Sequence, residues 1–333
     1  MKIKMVGAAA LFTLMVGVLL FGTACAKKKN SGLKVGISKI VSHPALDAVE
    51  SGILDKLNAS GRIFEFDLQN ANGDVNTAAQ IAAQFQNERV DVAVGIATPT
   101  AIALANNIKD TPVVFAAITD PLGAGLVDTV EHGKNNVTGV SDAITIISHL
   151  KIYKDIVNLK TLGYVYTSSE DNSISSLGDV RSACAELGLE LVVQAITNSS
   201  ELAQAAESII GRVDGVYITN DNTIFSALPS LIQVCRNAKK PLFSCDVTSV
   251  LEGGALIALG WNYYNIGQAA GDVIIQILDG KKPAEIPVRF LDPFTESDFL
   301  LDLDEAERCG IKIPERYLNQ ANRIFQNGKL TEK

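Results

Sequence analysis

RVDVAVGIATPTAIAL (residues 89–104) and RVDGVYITNDNTIFSAL (residues 212–228) follow one pattern. Each opens with Arg-Val-Asp, runs through apolar residues, breaks at a polar turn and continues with helical spacing. A Lys and a Pro then introduce another apolar run: Lys109-Asp-Thr-Pro-Val-Val-Phe115 in the first case, Lys239-Lys-Pro-Leu-Phe243 in the second. A short apolar run without polar alternation suits a strand covered on both faces, as in a parallel sheet. Strand, helix and strand in this order make the βαβ unit. Its recurrence 123 residues on (212 − 89) reads as two versions of one α/β unit.

The flanking sequence repeats the grammar. Strands are expected at 33–38, 64–68, 90–96 and 112–118, with helices from Pro44, at 74–87 and at 98–108. A second series has strands at 161–166, 189–196, 213–218 and 242–243 and helices at 172–187, 200–210 and 223–237. A strand at 255–260, a helix at 266–278 and strands near Val288 and Phe299 complete the pattern. The expected fold class is α/β, with two Rossmann-like lobes on parallel sheets. A chain of 333 residues also exceeds what one core usually organises.

Residues 5–26 carry no charge and lie between Lys2 and Lys4 on one side and Lys27, Lys28 and Lys29 on the other. Such a run can span a bilayer, which takes about 20 apolar residues. Its ending, LFGTAC at 20–25, decides otherwise. Small residues before a Cys fit a signal peptidase, and the Cys offers a thiol for acylation. The stretch resembles a bacterial lipobox, departing from it at Gly22, where a branched apolar residue is usual. The expectation is a signal peptide at 1–24, a lipidated Cys25 with a tether to residue 32, and export to the outer face of the cell membrane or a periplasm-facing membrane. The net charge of −8, with no basic cluster beyond residues 27–29, argues against a nucleic-acid partner. Cys184, Cys235, Cys245 and Cys309 form no CxxC pair and no zinc spacing, so they read as buried thiols.

Ligands of open parallel sheets sit beyond the carboxyl ends of the strands. The loops there, at 38–43, 97–100, 119–121, 167–173, 219–222 and 245–248, are rich in hydroxyl, amide and carboxylate groups. Polar groups gathered from both halves at one edge point to a cleft between two domains. The turns at 98–100 and 167–173 each open a helix. Their side chains can cap it, or its N-terminus can hold a carboxylate. Asp120, Asp221 and Asp246 each follow a strand, where a carboxylate either receives a ligand ammonium or shapes a turn. His43, before Pro44, either starts a helix or reaches a ligand; His132 and His149 read as surface positions. Trp261, Tyr263 and Tyr264 can cover a ligand, line a hinge or fill a core. No phosphate loop, nucleophile elbow or metal set occurs, and Gly123-Ala-Gly125 lacks the third Gly of a dinucleotide fingerprint. Neither catalysis nor a cofactor is expected.

VGISKIVSHPALDAVESG, GIATPTAIAL, AITDPLGAGLV, YTSSEDNS, ITNDNTI, SCDVTSVLEGGALIALGWNYYNIG and LLDLDEAERCGIKIP, in this order and spacing, resemble the substrate-binding lipoproteins of bacterial ABC importers. The similarity is to the family that includes tryptophan- and tyrosine-binding members. It departs from the family at Thr167-Ser168, where Asn-Pro is usual, and at Asp302, where Asn is usual. The resemblance implies a type I periplasmic-binding-protein fold with three crossovers, near 141–146, 244–262 and 289–297. It divides the chain into an N-terminal lobe (33–143 plus 263–290) and a C-terminal lobe (144–262 plus 291–333). It also implies closure on a small ligand, usually an amino acid and often aromatic, and docking on a membrane permease. The cleft candidates it carries over are Thr98, Thr100, Thr119, Asp120, Glu170, Asn172, Ser173, Asp221 and Asp246. The same fold also serves surface adhesins or sensors and binding proteins for nucleosides or sugars.

Overall fold

A computed structural model of the chain describes residues 32–251, 253–293 and 295–333. Cys25 and the expected signal peptide lie outside the described residues.

The chain first winds β1 (Leu33–Lys39), α1 (Pro44–Ala59), β2 (Phe64–Asn70), α2 (Val75–Glu88), β3 (Val92–Ile96), α3 (Thr98–Asn107), β4 (Val113–Ile118) and β5 (Val137–Ser141). It crosses over and winds α4 (Ile146–Val157), β6 (Thr161–Thr167), α5 (Asp171–Leu187), β7 (Glu190–Ile196), α6 (Leu202–Ile210) and β8 (Gly215–Ile218). Next come α7 (Asn222–Ser226), α8 (Leu228–Ala238), β9 (Leu242–Ser244), α9 (Thr248–Leu251) and β10 (Ile257–Trp261). A return through α10 (Tyr263–Leu278) and β11 (Arg289–Phe290) leads to β12 (Ser297–Asp302), α11 (Leu303–Cys309), α12 (Glu315–Gln320), β13 (Arg323–Gln326) and β14 (Lys329–Glu332).

Two sheets result. The first has the order β11-β5-β4-β3-β1-β2 and is parallel throughout. The second has the order β14-β13-β12-β10-β9-β8-β6-β7 and is parallel from β7 to β10. Five strands of each sheet share one topological order, β2-β1-β3-β4-β5 and β7-β6-β8-β9-β10, so the two Arg-Val-Asp segments fall on equivalent strands, β3 and β8. Their shared Asp has one physical task. The Asp91 carboxylate accepts from Lys34 N at 2.7 Å, and Asp214 accepts from Lys160 N and Thr161 N, both at 2.9 Å. In each lobe this Asp pins the start of the neighbouring strand. The chain passes between the sheets after β5, at Asn262 before α10, and between β11 and β12.

Burial follows the strands. All of β3, β4, β5, β8 and β9 is buried, as parallel strands require. In the first lobe α1 and α10 pack at glycine-to-glycine distance. A Cβ on Gly267 would meet Val49 O at 2.2 Å, and one on Gly52 would meet Tyr264 O at 2.2 Å. Two details depart from the sequence reading. The helix expected over 223–237 is interrupted at Ala227 (φ −125°, ψ 19°), because Pro229 in the first turn of α8 has no N–H for the Phe225 carbonyl and its ring would crowd that carbonyl in a continuous helix. His149, read as a surface position, is buried, and its Nδ1 lies 3.0 Å from the Tyr217 hydroxyl. Cys184, Cys235, Cys245 and Cys309 are free thiols, the first three buried.

Candidate functional site: the interlobe cleft

A small cavity of about 20 Å³ lies where the strand ends of the two lobes meet. The first lobe supplies His43 ahead of α1, Ala97 and Thr98 after β3, and Ala117 and Thr119 at the end of β4. The second supplies Asn172 on α5, Asn220, Asn222 and Phe225 after β8, and Asp246 after β9. Asp142 on the first crossover and Tyr263 at the start of α10 close it at the hinge. That is room for about one water molecule, well below the roughly 300–1,000 Å³ of ligand pockets. Toward solvent the cleft widens into a larger space bordered by Asn72, Pro99, Glu170, Asn198 and Thr223.

The walls are short of hydrogen-bond partners. Thr98 Oγ1 and Asn172 Oδ1 are buried and unbonded. Both nitrogens of His43 make no hydrogen bond of normal geometry, although the Asn222 amide lies beside the ring. Each orphaned buried group costs about 1–3 kcal/mol, so a concentration of them in one cleft is what a ligand would satisfy. His43 stacks on Phe225 of the opposite lobe at 5.7 Å between centroids. Burial pushes its imidazole down to about 4, so it is neutral at pH 7.

The hinge end is a polar knot. Asp142 accepts from Thr119 Oγ1 (3.3 Å), Asn220 Nδ2 (2.8 Å) and the Tyr263 hydroxyl (3.3 Å). Trp261 Nε1 donates to the Asp142 carbonyl oxygen at 2.9 Å. Burial raises the Asp142 carboxyl to about 6. Backbone strain collects nearby. Ala97 (φ 74°, ψ 157°) and Ala117 (φ 59°) hold positive φ without being Gly, and the β4–β5 register slips at Ala117. Such conformations cost about 1–3 kcal/mol each and cluster at functional sites.

The residues named from sequence divide into groups. Thr98, Thr119, Asn172 and Asp246 line the cavity. Thr100 is bound within its own helix turn, its hydroxyl donating to Ile96 O (2.6 Å) and Ala97 O (3.0 Å). Asp221 caps α7 by accepting from Ile224 N and also accepts from Thr167 N, Thr167 Oγ1 and Ser173 Oγ, which occupies Ser173 as well. Burial, then the Glu170 charge, raise Asp221 to about 7. Glu170 borders the mouth and accepts from Asn172, Asn222 and Thr223, bracing the starts of α5 and α7. Asp120 lies outside the cavity and bridges the lobes, accepting from Ser175 Oγ at 2.8 Å. Sequence reasoning passed over Asp142 and Phe225. It singled out Asp221 where the structure brings the flanking Asn220 and Asn222 to the cavity.

Two α/β lobes of equivalent strand order, three crossovers and a polar cavity between them define a two-lobed solute-binding protein of the type I periplasmic-binding-protein fold. Residues 34–325 match the ABC transporter substrate binding protein family, and the chain belongs to it. The chain is 35% identical over 283 residues to a tyrosine-binding protein of Clostridioides difficile (strain R20291), covering 84% of this chain and 80% of the relative. A Streptococcus pneumonia ABC domain solved in complex with L-Trp is 34% identical, with TM-score 0.84 over 89% of this chain and 100% of that one. The ligand-free, open structure of a Clostridium difficile substrate binding protein with adhesive properties is 32% identical, with TM-score 0.64 over 84% and 96%. The two lobes touch across the cleft at His43–Phe225 and Asp120–Ser175.

Proposed function

We propose that this chain captures an aromatic amino acid in the interlobe cleft and presents the closed, loaded form to an ABC permease, without catalysing a reaction. The observation that carries this is the set of buried, unbonded polar atoms of His43, Thr98 and Asn172 around one cavity, in a chain whose relatives include a tyrosine-binding protein and an L-Trp complex. The lobes that move are residues 33–143 plus 263–290 and residues 144–262 plus 291–333. Ligand contacts from both lobes stabilise the closed form, which is the form a permease distinguishes. Thr98, Thr119, Asn172 and Asp246 act as contacts, joined by His43, Asp142 and Tyr263. A lipid on Cys25 holds the domain at the outer face of the membrane, beside its permease. Among the described residues no helix is long and apolar enough to cross a membrane.

A thermal-shift screen against amino acids, nucleosides and sugars tests the ligand class. A ligand at 100 times its Kd stabilises by about 2.7 kcal/mol. That raises Tm by roughly 5–10 °C, at about 2–4 °C per kcal/mol. A shift with tyrosine or tryptophan is the expected result; a shift with a nucleoside or sugar alone rejects it. Mass spectrometry of the mature N-terminus tests the anchor, with a diacylglyceryl Cys25 expected. The relative with adhesive properties supports a second role as a surface adhesin, tested by adherence of cells lacking the protein.

A further inference from the structure

We propose that the cavity reads its ligand through the cationic end, with Asp142 on the first crossover as the counter-ion of the ligand's ammonium group, and that it therefore also binds aromatic amines lacking a carboxylate. The proposal rests on the aromatic reading above and narrows what the site recognises.

The walls offer acceptors in excess. Asp142 is buried, and its three donors are all neutral, two of them at the long distance of 3.3 Å. That burial still raises its carboxyl shows that these donors do not compensate its lost hydration. Asn172 adds an acceptor of fixed sense. Its amide hydrogens already go to Glu170 Oε2 (3.0 Å) and Asn220 O (2.7 Å), so its unbonded Oδ1 can only receive. Asp246 stands on the same wall. No Lys or Arg borders either the cavity or its mouth among the described residues. Lys39, close in sequence to the mouth, is held by Asp47 (2.6 Å) and Glu50 (3.1 Å).

The groups available to an anion are all uncharged. They include the Thr98 hydroxyl, the single N–H of a neutral His43 imidazole, the Asn222 amide, the Ser169 and Ser199 hydroxyls at the mouth, and the first turn of α3, where Pro99 contributes no N–H. An ammonium group supplies three donors and one positive charge, which this inventory lacks and a carboxylate would not supply.

Calorimetry on the purified protein, stripped of bound ligand by unfolding and refolding, tests this with L-tryptophan, L-tyrosine, tryptamine, tyramine and indole-3-propionate. Each amine is expected to bind within about tenfold of its parent amino acid. Indole-3-propionate, which keeps the carboxylate and lacks the ammonium, is expected roughly 100-fold weaker or worse, since an unpaired buried charge costs a few kcal/mol. The same cost makes the near-isosteric Asp142→Asn weaken amines and amino acids by about 30-fold or more and leave indole-3-propionate unaffected or improved. The ligand series on the unmodified protein stands even if the variant misfolds. Amino acids that bind while both amines lie more than roughly 100-fold weaker overturn the proposal and spare the aromatic reading. Silence of all five probes overturns both.

Discussion

Asp221 and Asp142 are buried carboxylates held by neutral donors, and only one faces the cavity. Asp221 is spent inside its lobe, tying Thr167 and Ser173 to the start of α7. Asp221→Ala orphans those donors and removes a cap. It is expected to cost about 3 kcal/mol, seen as a lower denaturant midpoint, with ligand affinity of the folded protein changed less than about threefold. The pH response separates the two roles further. His43 titrates ordinarily near 6.5 and is held at about 4 where it is buried in the cleft, so this arrangement loses stability as pH falls through 6.5 toward 4. Asp142, raised to about 6, takes up a proton over the same interval and surrenders its attraction for an ammonium. Lys39 and Asp47 are the other charges acting on His43, and they oppose each other. Affinity measured by calorimetry should be flat above pH 7 and fall steadily toward pH 4. Tm should follow less closely, because the raised carboxyls of Asp142 and Asp221 bind protons more readily folded than unfolded and offset His43. The position of these residues after strands was legible in sequence. Which way each side chain points was not, because capping a helix and facing a ligand use the same residue types at the same spacing.

At the scale of elements, α1 and α10 present His43 and Tyr263 from their N-termini, and their mutual packing fixes how far apart those side chains stand. The near contact of Gly52 with Gly267 sets that packing. Gly267→Ala places a Cβ against the Val49 carbonyl and is expected to destabilise by about 2 kcal/mol, measured by urea denaturation, with weaker ligand binding as α10 shifts. Most elements could be read from apolar runs and helical spacing, and the Arg-Val-Asp repeat located equivalent strands. The β13–β14 hairpin was missed, although Asn327-Gly328, both at positive φ, is a strong two-residue turn signal. Its strands are short and mostly exposed, so no apolar alternation announced them. The β5 strand, Val-Thr-Gly-Val-Ser, was missed for a related reason. Its Thr and Ser are buried through hydrogen bonds to Ile286 O and Ile118 O, which depend on distant partners.

Across the whole molecule, closure is a balance between lobe-to-lobe contacts and the unbonded groups they trap. Phe225 makes an aromatic contact across the cleft, and such pairs contribute about 0.5–1.5 kcal/mol beyond area burial. Phe225→Ala should therefore weaken ligand affinity by roughly tenfold and, because the residue is also buried in the second lobe's core, lower the denaturant midpoint as well. Small-angle scattering should show a smaller radius of gyration on adding ligand to the stripped protein, and a smaller change for the variant. An unchanged radius would mean that the lobes are locked together without ligand.

The separated, largely buried thiols have a consequence for how such a chain is made. With Cys184, Cys235, Cys245 and Cys309 all unpaired, no step in maturation of the folded domain waits on an oxidant or a disulfide isomerase. The domain can reach its final form equally in an anaerobic exterior, an aerated one or a reducing expression host. Its melting temperature should accordingly be indifferent to millimolar dithiothreitol.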